Sequence, residues 1–344
     1  MLPMPANCAV SLTFANRGEN EHGMQIIGGP ASQLVTKPML EAAKLQWENG
    51  NDANGVVAPG EALLIDLTEK IAGKACLQGV GGQEGAAVLV LRRFVQRLMG
   101  DQAVDEVEHE LELQLQQGKI DTMALMRGKV KNKNARHNNC MADFEQEPDQ
   151  ANGRGTVCNL IHYPRIQTLA NLAAVWMQQD NPLICEQNRY YDVSKCGIGW
   201  HGDAEREIVL GARFGKATKN MPMMFQAFYD HSPVGPKVSI NLQRGDVYIM
   251  TSKAVGTDWK SSSIVTWRHA AGNPVTCSYV KEKPRKNESS LKSAIAKMKK
   301  PEKKPAKSDA KAIVAAHLED GPIGQEMVEA EDAVEAVLDV ENGA

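Results

Sequence analysis

From about residue 187 the chain becomes a succession of short apolar runs separated by Gly, Pro and Asp turns: NRYYDV, CGIGWHGD, EIVLGARFG, MPMMFQAFY, KVSINLQ, DVYIMT, SIVTWRHAA and VTCSYV. Short strands at this spacing bury their alternate apolar positions only against another sheet, so the pattern predicts a β-sandwich or an open barrel. The preceding part has a different texture. KPMLEAAKLQW near Pro38, EALLIDLTEKIAG ending at Gly73 and DEVEHELELQL, charged on one face, read as helices. PRIQTLANLAAVWMQQ is a further helix opening near Pro164, and AAVLVLRRFVQRLM reads as a buried strand running into a helix. The expected class is α+β, with a mostly helical N-terminal extension over 1–126, a strand-rich core over 127–283 and a tail over 284–344.

The tail boundary comes from charge. Residues 281–311 carry eleven Lys and one Arg against four acids, a net of +8. Residues 312–344 carry nine acids and no Lys or Arg, whereas the other 280 residues are near neutral at −2. KKPEKKPAKSDAK has nothing to bury and is expected to be disordered, as a solvated arm, an anion-binding arm or a nuclear-targeting signal. No apolar run approaches the roughly 18 residues of a membrane span, and no secretory signal is evident at MLPMPANCAVSLTF. Seven scattered cysteines without a C-x-x-C pair predict reduced thiols in an intracellular protein, nuclear or cytoplasmic.

Within CGIGWHGDAERE, His201, Asp203 and Glu205 follow one another at steps of two. On a strand, all three would point to one face. At the inward-facing mouth of a barrel, His201 and Asp203 supply two metal ligands, and a third must come from a strand nearby. His231 lies in a turn and His317 in the tail, which leaves His269 in SIVTWRHAAG. Two histidines and one carboxylate on one face of an octahedral ion leave three positions open, the arrangement of non-haem Fe(II) oxygenases. The competing reading of His269 is a core or turn histidine.

NRYYDVSKCGIGWHGDAE resembles the signature of the AlkB-type dioxygenases that use Fe(II), 2-oxoglutarate and O2: an Asn-x-Tyr, here Asn188 and Tyr190, precedes a His-x-Asp followed by an acid. NLQRGDVYIMTSKAVGTDWK is similar to the family's Gly-Asp strand, TWRHAAG to its closing strand, and MRGKVKNKNARHNN to the stretch that carries nucleotide-recognition loops. The likeness is strongest to an AlkB-like branch of algae, protists and large viruses, and covers most of residues 9 to 275. It implies a double-stranded β-helix (jelly roll) with His201, Asp203 and His269 on Fe(II). It implies 2-oxoglutarate held by a cation and by Asn188 and Tyr190, Glu205 at the substrate, and oxidative demethylation of N-alkylated bases in repair or RNA demethylation.

The chain departs from the family pattern where the third ligand and the co-substrate cation are expected. Arg268 and His269 are neighbours, and neighbours on a strand face opposite ways. Either His269 is the ligand and Arg213, Lys281 or Lys283 anchors 2-oxoglutarate, or Arg268 anchors it and the third ligand is missing. RGKVKNKNARHNN places Arg127, Lys129, Lys131, Lys133 and Arg136 within ten residues, as a strand or hairpin with one basic face or as a solvated loop. As a lid over the pocket, Lys131, Lys133 and Arg136 would grip the phosphates of a nucleic acid, a single strand by preference, while a base enters the site. The alternatives are a protein or small-molecule hydroxylase with the same iron chemistry and a binding module with a degenerate site.

Overall fold

The computed structural model describes residues 3–21, 25–52, 55–56, 59–273 and 277. The expected tail over 284–344, Lys281, Lys283 and nearly all of the run VTCSYV lie outside them. The protein is a mixed α/β, strand-rich molecule built on one large and one smaller sheet.

The first strand, β1 (Ala9–Ala15), is buried along its whole length, with Val10, Leu12 and Phe14 on one face and Ala9, Ser11, Thr13 and Ala15 on the other. A hairpin of β2 (Arg17–Glu21) and β3 (Gln25–Gly28) follows, then α1 (Lys37–Glu48), opened by Pro38 in its first turn. After the two-residue pair β4 (Asn51–Asp52) and β5 (Gly55–Val56) come β6 (Ala62–Asp66), β7 (Ala87–Leu91), α2 (Phe94–Met99) and α3 (Ala103–Gln116). The helix expected in EALLIDLTEKIAG is therefore a strand followed by a single 3-10 turn at Thr68–Ile71. Its apolar residues pair with β7, and that tertiary pairing overrides their helix propensity.

Next come a hairpin of β8 (Met123–Met126) and β9 (Lys129–Asn132), then β10 (His137–Ala142), β11 (Val157–Asn159) and α4 (Pro164–Trp176). The remaining elements are β12 (Ile184–Tyr190), β13 (Ile198–His201), β14 (Val209–Phe214), β15 (Met223–Tyr229), β16 (Ser232–Ile240), β17 (Val247–Met250), α5 (Ser252–Val255) and β18 (Thr266–Ala271).

The large sheet has the order β11-β10-β12-β1-β14-β17-β7-β6, and the smaller one β13-β18-β15-β16. Side-chain alternation sorts the core into two layers. Leu12, Phe14, Leu210, Ile249 and Leu89 point from the large sheet to Trp47, Phe94, Leu111 and Leu169 of the helices. Val88, Val90, Tyr190 and Tyr248 point the other way, to Phe225, Trp267 and Ala271 of the smaller sheet. The molecule is thus helices, large sheet and small sheet in that order.

This architecture overturns the boundary expected at 126. β1 lies between β12 and β14, and β6 and β7 extend the same sheet, so Met1–Arg285 form one compact unit. The N-terminal part completes the strand-rich core instead of forming an extension to it. The charged face of α3 is also partly internal. Glu108 meets Arg244 at 2.7 Å, Glu112 meets Arg189 at 2.7 Å, and Glu110 accepts the Arg165 and Ile166 backbone N–H groups that open α4.

Candidate metal centre

His201 ends β13, and His269 is its direct partner on β18. Between them and the preceding pair, Ile198 with Ala271, β13 spends three residues against two on β18. This bulge turns both Ile198 and His201 to the inner side and leaves Trp200 on the outer one. Asp203 lies two residues past the strand, so the expectation of one strand carrying His201, Asp203 and Glu205 is corrected: Glu205 is in the turn that follows.

Asp203 is instead brought back by its backbone N–H, which donates to the Val255 carbonyl at 3.0 Å. Gly202 is what permits this path. A Cβ there would lie 2.6 Å from Trp259 Cβ and would run into the Gly256 carbonyl. Gly256 in turn adopts φ +79°, in the left-handed region that favours glycine.

The three groups converge. Asp203 Oδ1 lies 3.4 Å from His201 Nε2 and 3.6 Å from His269 Nε2, and the imidazole centroids are 4.4 Å apart. Neighbouring ligands at roughly 2.1 Å from one ion lie about 3 Å from each other, so the spacing suits a shared ion. His201 Nδ1 meets the Gly199 carbonyl at 2.8 Å, which places the proton on Nδ1 and turns the Nε2 lone pair to the cluster. Burial holds the His269 imidazole below its ordinary value, against the pull of Asp203, and so keeps it in the neutral, ligating form. Burial alone would raise the Asp203 carboxyl, but Arg206 and then His269 outweigh it and hold the group well below the usual carboxylate range. Two imidazoles and one carboxylate fit a divalent transition ion better than structural zinc, which favours thiolates.

The expected co-substrate residues divide. Ser11 on β1 pairs with Asn188 on one side and with Arg213 on the other, so these three side chains share one rung and one face. Tyr190 and Tyr248 point into the same layer. Burial pushes the Tyr190 phenol up to about 12, with Arg136 and Arg213 pulling it down. Tyr248 is raised by burial and feels both Arg213 and Asp203, which links this rung to the metal cluster. Arg213 is 1% exposed, and its Nε and Nη1 have no hydrogen-bond partner.

Arg268, by contrast, is corrected. It alternates with Trp267 and His269, both inward, and faces out, its guanidinium 4.2 Å from the Phe228 ring centroid and 5.1 Å from that of Trp259. His269 is thus at the cluster, and of the cations considered from the sequence Arg213 is buried in the same layer, whereas Lys281 and Lys283 lie outside the described residues.

A search of protein-family models finds no match. An uncharacterized protein of Acanthamoeba polyphaga mimivirus is 41% identical over 267 residues, 76% of this chain and 95% of the viral protein. The chain belongs to the family of that viral protein.

The basic stretch forms the hairpin expected of it. Arg127 and Gly128 take positive φ in the turn, and Lys129 and Lys131 are exposed on β9. Lys133 and Arg136 are half-buried and engaged by neighbouring side chains: Lys133 donates to Asn138 Oδ1 at 2.6 Å and Arg136 Nε to Asn188 Oδ1 at 2.6 Å. Glu205 is largely buried, 3.2 Å from Arg206 Nε, and burial pushes its carboxyl up to about 7. Sequence reasoning missed Arg206, Glu186, Ser11 and Tyr248. The Arg three residues after the Asp in HGDAER was the available signal for the first of these.

Proposed function

We propose that the protein is an Fe(II)- and 2-oxoglutarate-dependent dioxygenase of the AlkB-like kind, acting on N-alkylated nucleic-acid bases. The observation that carries this reading is the convergence of His201, Asp203 and His269 on the inner face of the small sheet, opposite a buried Arg213 with unpaired donors. The strand order supports a double-stranded β-helix: from β12 to β18 the chain alternates between the two sheets except at the β15–β16 hairpin of the small one, and β1 fills the remaining place in the large one. Fe(II) with 2-oxoglutarate and O2 would supply the oxidation of a C–H bond.

The chain's own part is positional. His201, Asp203 and His269 would hold the ion on one side. Arg213 would take the far carboxylate of 2-oxoglutarate, with Asn188 and Tyr190 as hydrogen-bonding neighbours. The buried side chains of Tyr248, Phe225 and Trp267, packed in the same layer, would keep water from the reacting group. The exposed Lys129 and Lys131 would bind phosphates outside the pocket. Among the described residues, no helix is long and apolar enough to cross a membrane.

One observation favours a protein or small-molecule hydroxylase instead: with Lys133 and Arg136 engaged by neighbouring side chains, the exposed basic set on the hairpin is smaller than the sequence suggests. The test is succinate formation by the purified full chain with Fe(II) and 2-oxoglutarate, with formaldehyde measured over a panel of methylated single strands. Coupled succinate and formaldehyde support the proposal. Succinate without formaldehyde moves the substrate to the hydroxylase class, and neither product defeats the oxygenase reading.

A further inference from the structure

Arg206 is 5% exposed, and its guanidinium is surrounded by carboxylates. Nη2 donates to Glu186 Oε2 on β12, Nη1 lies 3.6 Å from Asp203 Oδ2, and Nε lies 3.2 Å from Glu205 Oε1 without hydrogen-bond alignment. Glu186 is fixed in turn, because its other oxygen accepts from Asn188 Nδ2 at 2.9 Å, and Asn188 accepts from Arg136. Asp203 therefore has two unlike oxygens. Oδ1 faces both histidines, and Oδ2 faces Arg206.

We propose that Arg206 is a positioning residue for the metal centre: braced by Glu186, it holds Asp203 Oδ2 so that the carboxylate offers the ion Oδ1 alone. The proposal rests on the metal reading of His201, Asp203 and His269. A carboxylate free to turn can chelate an ion through both oxygens and would occupy a position that a co-substrate needs. The planar guanidinium holds its two terminal nitrogens at a fixed separation, Nη2 on Glu186 and Nη1 beside Asp203 Oδ2, and so spans the two carboxylates as a single ammonium cannot. The large sheet, through β12, thereby sets the orientation of a ligand that sits at the end of a small-sheet strand. Metal ligands are commonly oriented by such outer partners, and losing one typically costs about 10–100-fold in metal affinity.

The test uses the full chain and Co(II), whose visible absorption reports the number and arrangement of its ligands. Three variants are compared with the wild type: Arg206→Lys, Arg206→Met combined with Glu186→Gln so that the Glu186 carboxylate is not left without its cation, and Asp203→Ala. Thermal unfolding of each metal-free protein establishes that it is folded. The expected result is a fall in Co(II) affinity of about 10–100-fold for the double variant, with an altered absorption spectrum at saturation. Arg206→Lys retains the charge without the two fixed nitrogens and should lie between, also with an altered spectrum.

A purely structural Arg206 would lower the melting temperature and leave the spectrum of the folded protein alone. Wild-type affinity and spectrum in either folded variant overturn the proposal. If the double variant does not unfold cooperatively, Arg206→Lys decides it by the same criterion. A wild type that does not bind Co(II), or an Asp203→Ala variant that binds it normally, overturns the metal reading and this inference with it.

Discussion

His201 and His269 face each other as partners across two antiparallel strands, with Asp203 Oδ1 within 3.6 Å of both Nε2 atoms. Each imidazole comes from a different strand, so neither can be replaced by its sequence neighbours. His269→Ala should reduce Co(II) affinity by more than the roughly 100-fold ceiling typical of an outer partner, because a ligand itself is lost. Titration against Asp203→Ala provides the comparison, and unchanged binding by either variant would exclude the three-residue site.

Gly202→Ala should damage both stability and the site. The added Cβ meets Trp259 and the Gly256 carbonyl, and overpacking of this kind costs about 1–3 kcal/mol. Gly199→Ala serves as the control, since a Cβ there meets nothing within 4 Å. A shift in the urea midpoint is expected for the first variant and little for the second. Equal midpoints would mean that the tight path into Asp203 is not sterically set.

Arg213 is expected to cost the protein stability in the absence of a ligand. Its Nε and Nη1 are buried without partners, and a buried ion carries a desolvation cost on the order of several kcal/mol that an apolar side chain of similar volume does not. Arg213→Met should therefore melt at or above the wild-type temperature, yet lack the upward shift that, on the proposed function, added 2-oxoglutarate is expected to give the wild type. A variant that melts lower and still responds to 2-oxoglutarate would refute the anchor.

Acid should weaken the protein partly through His137, which stacks on Tyr191 with ring centroids 4.6 Å apart. Burial, then Lys133 and Arg189, hold its imidazole below the ordinary 6.5. A folded value below the unfolded one means that the unfolded chain takes up the proton first. Stability is then lost as pH falls from about 6.5 through the folded value. Urea midpoints of wild type and His137→Gln, measured from pH 8 to pH 5, should differ less at the acid end. A constant difference would show that His137 does not titrate with folding.

Much of the small sheet was legible in the sequence, because its strands are separated by Gly, Pro and Asp turns and carry His201 and His269 at recognisable places. The step of two from His201 to Asp203 was read correctly as a pair but for the wrong reason: the strand ends at His201, and a glycine path brings Asp203 in. The opposite orientation of Arg268 and His269 followed from strand alternation alone. The large sheet was not legible. β1, β6 and β7 are local runs whose partners lie far along the chain, and ALLID is as consistent with a buried helix as with a strand until β7 is placed beside it. Arg206 was overlooked because its role appears only when Glu186, from another strand, is brought to it.

The first strand has a consequence for synthesis. Ala9 pairs with Tyr190 and Ala15 with Val209, so AVSLTFA occupies the middle of the large sheet and both its neighbours, β12 and β14, are made long after it. At roughly 5–20 residues per second, a ribosome leaves this apolar segment without either partner strand for on the order of 10–40 s. Throughout that interval the nascent chain presents a strand buried on both faces in the finished protein. Its yield in a cell should therefore depend on the supply of chaperones that shelter an emerging N-terminus, and on how fast translation passes through β12 and β14.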